Sequence, residues 1–107
     1  MVTATLRVVV PTSKRLEALG ALRSLRGPTE AYPNCQRCCL YRDADDENRF
    51  LLLQEWTTQA ALDQYIRSDL YRTILAVMET ASEPPEMRFD TLAQTAGMEV
   101  VEAARDR

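Results

Sequence analysis

The chain predicts an α+β fold, an antiparallel sheet in the order β-α-β-β-α-β with both helices on one face, and three observations carry that prediction. Short apolar runs at Thr3 to Val10 and Phe50 to Leu53 are rich in the residues that suit strands. Two longer stretches repeat apolar residues at helical spacing. The polar run Asp43 to Asn48 joins two extended segments, so they pair as a hairpin. This is the ferredoxin-like arrangement.

Each element follows from its residues. Thr3 to Val10 ends in Val8-Val9-Val10 and is stopped by Pro11, as expected of a central strand. Thr12 or Ser13 then caps a helix whose stripe is Leu16, Leu19, Leu22 and Leu25, with Ala18 and Ala21 beside it, and Gly27-Pro28 is expected to stop it. Asn34 is a candidate for positive φ, since asparagine tolerates the left-handed region. Strict alternation from Cys35 to Tyr41 puts Cys35, Arg37, Cys39 and Tyr41 on one face and Gln36, Cys38 and Leu40 on the other.

The next strand, Arg49-Phe-Leu-Leu-Leu-Gln-Glu-Trp56, is apolar on both faces through its middle and polar only at its end. Thr57 or Thr58 caps a second helical region carrying Leu62, Tyr65, Ile66, Leu70, Ile74, Leu75 and Met78. Ser68-Asp69 bends that region, with Asp69 as the expected cap of its second piece. Glu86 to Leu92 alternates, with Met87 and Phe89 inward, and forms the last long strand. The tail through Met98, Val101 and Ala104 reads as a short amphipathic helix or a strand.

At 107 residues the chain is expected to form one domain, residues 1–107, with a single core. A net charge of −3 without a basic patch points away from nucleic acid and from anionic membranes. No apolar run reaches the length of a membrane span, and no secretory leader is visible, so a cytoplasmic protein is expected. The chain has no histidine, which removes histidine-ligated metal or haem, Ser-His and Cys-His nucleophiles, and an imidazole base. Cys35, Cys38 and Cys39 lie in a strand without a fourth ligand, and read as small buried hydrophobes rather than a metal or redox centre. Neither cofactor nor metal is expected.

The helices cover one face of the sheet, whereas Leu51 to Leu53 is apolar toward both. A second copy of the chain is the simplest cover for the open face, giving a symmetric homodimer. Candidate site residues cluster at the end of the doubly apolar strand. Glu55, if partly buried, could serve as a general base, or it could form an ion pair with Arg42 or Arg49. Trp56 is a flat wall for a pocket or a core anchor. Tyr65 and Tyr71, on the apolar stripe, carry hydroxyls that could bind a substrate oxygen, with Tyr65 near the bend the stronger candidate for proton handling. Gln54 and Tyr41 complete the set as substrate-contacting candidates.

Pro33-Asn34-Cys35, Leu40-Tyr41-Arg42-Asp43, Phe50 through Trp56, Ala61-Leu62, Gly97-Met98-Glu99 and Arg105 occur in an order that resembles the antibiotic biosynthesis monooxygenase domain family, part of the dimeric α+β barrel group. The first of these is Pro-Gly-Cys in most members. The resemblance implies a two-fold dimer with a pocket between sheet and helices in each subunit, and Trp56 matches a tryptophan that lines the pocket of some oxygenase members. Family activities include cofactor-free oxygenation of phenols and quinols, haem degradation and sugar-phosphate isomerisation, so family alone does not fix the reaction. Many members place histidines about where Tyr65 and Asp69 stand, and their absence argues against the haem-degrading activity. The expected function is a cofactor-independent monooxygenase-like enzyme using molecular oxygen on a small aromatic, phenolic or quinol substrate. The alternative is a non-catalytic homodimeric module binding a small ligand.

Overall fold

The computed structural model describes residues Met1–Asp106. Four strands, β1 (Val2–Val9), β2 (Cys35–Arg42), β3 (Arg49–Trp56) and β4 (Glu86–Thr91), form one sheet in the order β2-β3-β1-β4. All three pairings are antiparallel. Helices α1 (Arg15–Glu30), α2 (Gln59–Ile66) and α3 (Tyr71–Glu79) complete the βαββαβ unit, and α4 (Met98–Arg105) follows it. The fold is the α+β ferredoxin-like one that the residue patterns predict.

Parity decides the core. Val2, Ala4, Leu6 and Val8 of β1 and Phe50, Leu52, Gln54 and Trp56 of β3 are buried beneath the helices, while their odd neighbours face the open side. From α1 the core receives Ala18, Leu22, Leu25 and Thr29. That is a 4-3-4 spacing, so Leu16, on the opposite side of the helix, is 77% exposed instead of packing on the sheet.

Helix α1 also runs past Gly27-Pro28, the expected stop, to Glu30. Pro28 removes the N–H that would bond to the carbonyl one turn back. The last turn is held instead by fully buried Thr29 and by the Ala31 N–H, which donates to the Gly27 carbonyl at 3.1 Å. Asn34 does adopt positive φ, 68°, and turns the chain into β2.

Strand β2 departs from simple alternation. Its register with β3 steps from Cys35↔Trp56 to Arg37↔Glu55, so Gln36 is the extra residue of a β-bulge. The bulge moves Cys35 to the helix-covered face, where buried Cys38 also lies, and leaves Arg37, Cys39 and Tyr41 on the open face. The hairpin from β2 to β3 is closed by the Asp43 and Asp46 side chains, which accept from the N–H groups of Asp45 and Asn48 at 2.7 and 2.9 Å.

The second helical region breaks between Ile66 and Tyr71. Thr58 caps α2, its hydroxyl accepting from the Ala61 N–H at 3.1 Å. Asp69 does not cap α3: it pairs with Arg72 at 3.6 Å in the solvent, and the N-cap of α3 is Leu70, with no side-chain cap bond. Among the described residues no helix is long and apolar enough to cross a membrane.

Candidate functional site

Gln54 and Trp56 share the helix-covered face of β3, and α2 lays Tyr65 across them. All three side chains are buried. The Trp56 indole Nε1 donates to Gln54 Oε1 at 3.2 Å, Gln54 Nε2 donates to the Tyr65 hydroxyl at 3.3 Å, and the Tyr65 hydroxyl lies 2.8 Å from Thr29 Oγ1.

The direction of this chain is fixed from one end. An indole can only donate, so the atom it meets on Gln54 is the carbonyl oxygen, and the amide nitrogen must then face Tyr65. Tyr65 accepts there, and of the Tyr65 and Thr29 hydroxyls either can be the donor to the other. The Gln54 amide also approaches Cys38 Sγ at 3.9 Å, which accounts for its second N–H. Burial pushes the Tyr65 phenol up to about 12, against the opposing hydrogen bonds to Thr29 and Gln54.

Around this network the aromatic rings close on one another. Tyr65 lies 4.9 Å from Trp56, and meets Tyr32 and Tyr71 edge-on at 5.3 and 5.6 Å. Tyr71, at the start of α3, differs from Tyr65 in one respect. Among the described residues no hydrogen bond engages its hydroxyl. Burial raises its pKa as well, so near neutral pH it is a proton donor.

Tyr71 borders an apolar cleft between the sheet and the α2–α3 pair. Leu6, Leu52 and Gln54 form its floor, Leu62, Tyr71 and Ile74 its roof, and Met87 and Phe89 of the edge strand β4 its side. It is narrow, with about 10 Å³ of free volume, room for a single water, and among the described residues no charged side chain lines it. The walls are apolar and uncharged, and a flat aromatic molecule enters only if the α2–α3 pair parts from the sheet. Tyr71 and Gln54 are the residues of this lining that carry polar groups, and the Gln54 amide is already committed to Trp56, Tyr65 and Cys38.

The predicted site residues therefore separate. Gln54 and Tyr71 line the cleft, whereas Tyr65 and Trp56 stand behind it as its buttress. Glu55 does not join them. Its odd position turns it to the open face, where it pairs with Arg37 at 3.5 Å, the partner that the bulge brings opposite it, in place of Arg42 or Arg49. Tyr41 is likewise on the open face and 45% exposed. Thr29, Met87 and Phe89 complete the cleft and its network without having been singled out as site residues. Thr29 was findable: it continues the Ala18, Leu22, Leu25 stripe by one more turn.

The three cysteines are free, and burial raises the thiols of Cys35 and Cys38, the latter to about 11. Among the described residues no group of side chains is arranged to hold a metal ion.

An antiparallel four-stranded sheet, helices on one face and an apolar cleft between the layers define a small α+β protein of the ferredoxin-like class. A family profile described as antibiotic biosynthesis monooxygenase matches residues 1–77, and the chain belongs to that family. A crystal structure of an antibiotic biosynthesis monooxygenase superposes with a TM-score of 0.79 at 19% identity, covering 88% of this chain and 100% of that one. Rv0793 from Mycobacterium tuberculosis gives 0.81 at 23% identity, covering 90% and 98%. At these identities the likeness establishes the fold alone. An uncharacterised protein of Synechocystis sp., sll1783, is 22% identical over 89 residues, 82% of this chain; the chain spans 60% of the length of that relative.

Proposed function

We propose that this protein is a homodimeric, cofactor-independent monooxygenase-like enzyme that takes a small uncharged phenol or quinol into the cleft beneath Tyr71 and oxidises it with molecular oxygen. The observation that carries this reading is the pairing of an apolar, uncharged cleft with Tyr71, a lining residue whose hydroxyl has no hydrogen-bond partner among the described residues. Family membership supports the same chemistry. The free thiols fit a cytoplasmic setting.

In this mechanism Tyr71 donates to the substrate oxygen and stabilises the phenolate that forms there, while the aliphatic walls exclude water. Neither residue expected to handle the proton is placed to take it. Tyr65 is saturated by Gln54 and Thr29, and Glu55 is on the far side of the sheet. The proton therefore leaves to water at the mouth beside Phe89, which is 44% exposed. The electron-rich ring then reduces O2 directly. For a ring carrying an activated CH2, the carbon becomes C=O, one oxygen atom enters the product and the other leaves as water, with both hydrogens.

A second reading has its own observation. Tyr71 is the only titratable group lining the cleft, so a module that binds a small aromatic molecule without turning it over fits the same walls. Oxygen uptake with reduced quinones and hydroxylated anthrones separates the two, with binding followed through quenching of the sole tryptophan, Trp56. The enzyme reading expects uptake that falls about a hundredfold in Tyr71→Phe, the loss of one hydrogen bond to developing charge. Saturable binding without uptake across the panel leaves the binding module, and absence of both rejects the cleft as a site.

A further inference from the structure

Every residue from Thr91 to Asp106 is exposed, and α4 buries nothing against the rest of the chain. Yet it is amphipathic. Met98, Val100, Val101 and Ala104 fall on one side of the helix, with Arg105 at the C-terminal end of that side, and Glu99, Glu102 and Asp106 on the other. Met98 is 66% and Val101 46% exposed. A helix of 8 residues that buries no side chain is marginal in water, so its apolar side requires a surface.

The open face of the sheet offers one of matching character. At the end where β1 finishes and β3 begins, Tyr41 and Leu51 floor a groove bordered by Arg7, Arg42 and Arg49, three cations against the one carboxylate of Asp43. Arg42 makes no ion pair among the described residues. Arg7 meets Glu86, and Arg49 meets Asp46 and Glu83, at 3.8 Å in exposed geometry, pairings that contribute little and exchange easily. An apolar floor with an arginine rim complements a helix with an apolar side and an acidic side.

We propose that α4 is an arm that seats in this arginine-rimmed groove on a second copy of the chain, and that the partner's α4 seats reciprocally. Topology favours the second copy over the helix's own sheet. The tail leaves β4 at Thr91, opposite Val2, whereas the groove lies at the far end of the sheet, around Val9↔Arg49. Reaching it requires turning back along a strand length of ~20 Å at about 3.3 Å per residue. When two sheets stack about a two-fold axis that crosses the strands, the end of one β4 lies over the arginine end of the other sheet, and residues 92–97 span the remaining gap. The proposal rests on the homodimer put forward above and is independent of its chemistry.

Sedimentation equilibrium on the full chain tests it with Val101→Glu, Arg42→Glu and the double variant Arg42→Glu/Glu102→Arg. Each single change is expected to raise the dimer dissociation constant at least tenfold, and the second charge reversal to restore most of what Arg42→Glu removes. A benzophenone side chain at position 101, in a mixture of nitrogen-15-labelled and unlabelled protein, should link to residues 37–51 of the other isotopic form. Links confined within one chain, links to another part of the partner, or single variants that dimerise like the parent overturn the arm. A parent chain that is monomeric throughout overturns the dimer with it, leaving the oxygen-uptake result to judge the cleft separately.

Discussion

Two tyrosines in van der Waals contact carry different duties because one hydroxyl is satisfied and the other is not. Tyr65→Phe leaves the Thr29 hydroxyl and one Gln54 N–H unpaired in the core, and is expected to cost ~1–3 kcal/mol in urea unfolding. Tyr71→Phe removes a hydroxyl with no partner among the described residues, and stability should change by less than about 0.5 kcal/mol. Alkaline pH provides a separate check. Tyr65 is raised by burial from 10.0 to about 12 in the folded chain, so the unfolded chain loses this proton first as pH climbs. The Tyr65 contribution is intact below pH 10 and is lost between 10 and about 12. Cys38, raised by burial from 9.0 to about 11, acts in the same direction one unit lower. Stability of the parent should decline from about pH 9 upward, and Tyr65→Phe should flatten the upper part of that decline. Parallel curves for the two proteins would contradict the assignment.

At the level of elements, α1 continues through a proline because its final turn delivers Thr29 to the Tyr65 hydroxyl, and that contact offsets the missing N–H. Pro28→Ala restores a donor within the helix but also frees the unfolded chain. The helical gain is the larger of the two, so a stabilisation of about 1 kcal/mol is expected in thermal or denaturant unfolding. A loss of stability there would mean that the ring itself packs usefully. Strand β2 shows the converse case, where one inserted residue, Gln36, reassigns Cys35 from one face to the other and sets Arg37 opposite Glu55. Nothing in the residue types near Gln36 signals this. A bulge is a property of two strands in register, and the partner strand is not local in sequence.

For the whole molecule, the consequence of parity in β3 is a pair of neighbouring leucines with unlike roles. Leu52 is buried under the helices, whereas Leu53 faces the open side and is only partly covered. Leu52→Ala is expected to cost ~2–5 kcal/mol through the cavity it leaves. Leu53→Arg should leave the unfolding midpoint of the separated protomer nearly unchanged, yet shift the particle to the monomer in light scattering. Equal destabilisation by the two substitutions would contradict a free outer face awaiting a second copy.

Much of the architecture was legible before any coordinate. Val8-Val9-Val10, the polar hairpin from Asp43 to Asn48, the break near Ser68 and the left-handed Asn34 all follow from local chemistry, and local chemistry is where strands, turns and bends are decided. The family resemblance was legible for the same reason, being carried by contiguous residues of β2, β3 and α2. The site was legible only in part. That Gln54, Trp56, Tyr65 and Tyr71 belong together follows from parity and helical spacing, whereas Glu55, adjacent to Gln54 and Trp56 along the chain, lies on the opposite face of the strand. Which phenol is held and which is open, and that Thr29 completes the network, depend on three elements distant in sequence meeting at one point. Sequence by itself determined the elements, their order and the need to cover a doubly apolar strand. Only the tertiary structure decided which hydroxyl is hydrogen-bonded and which is left without a partner among the described residues, because hydrogen bonds are settled by distance and direction between side chains that the chain order keeps apart.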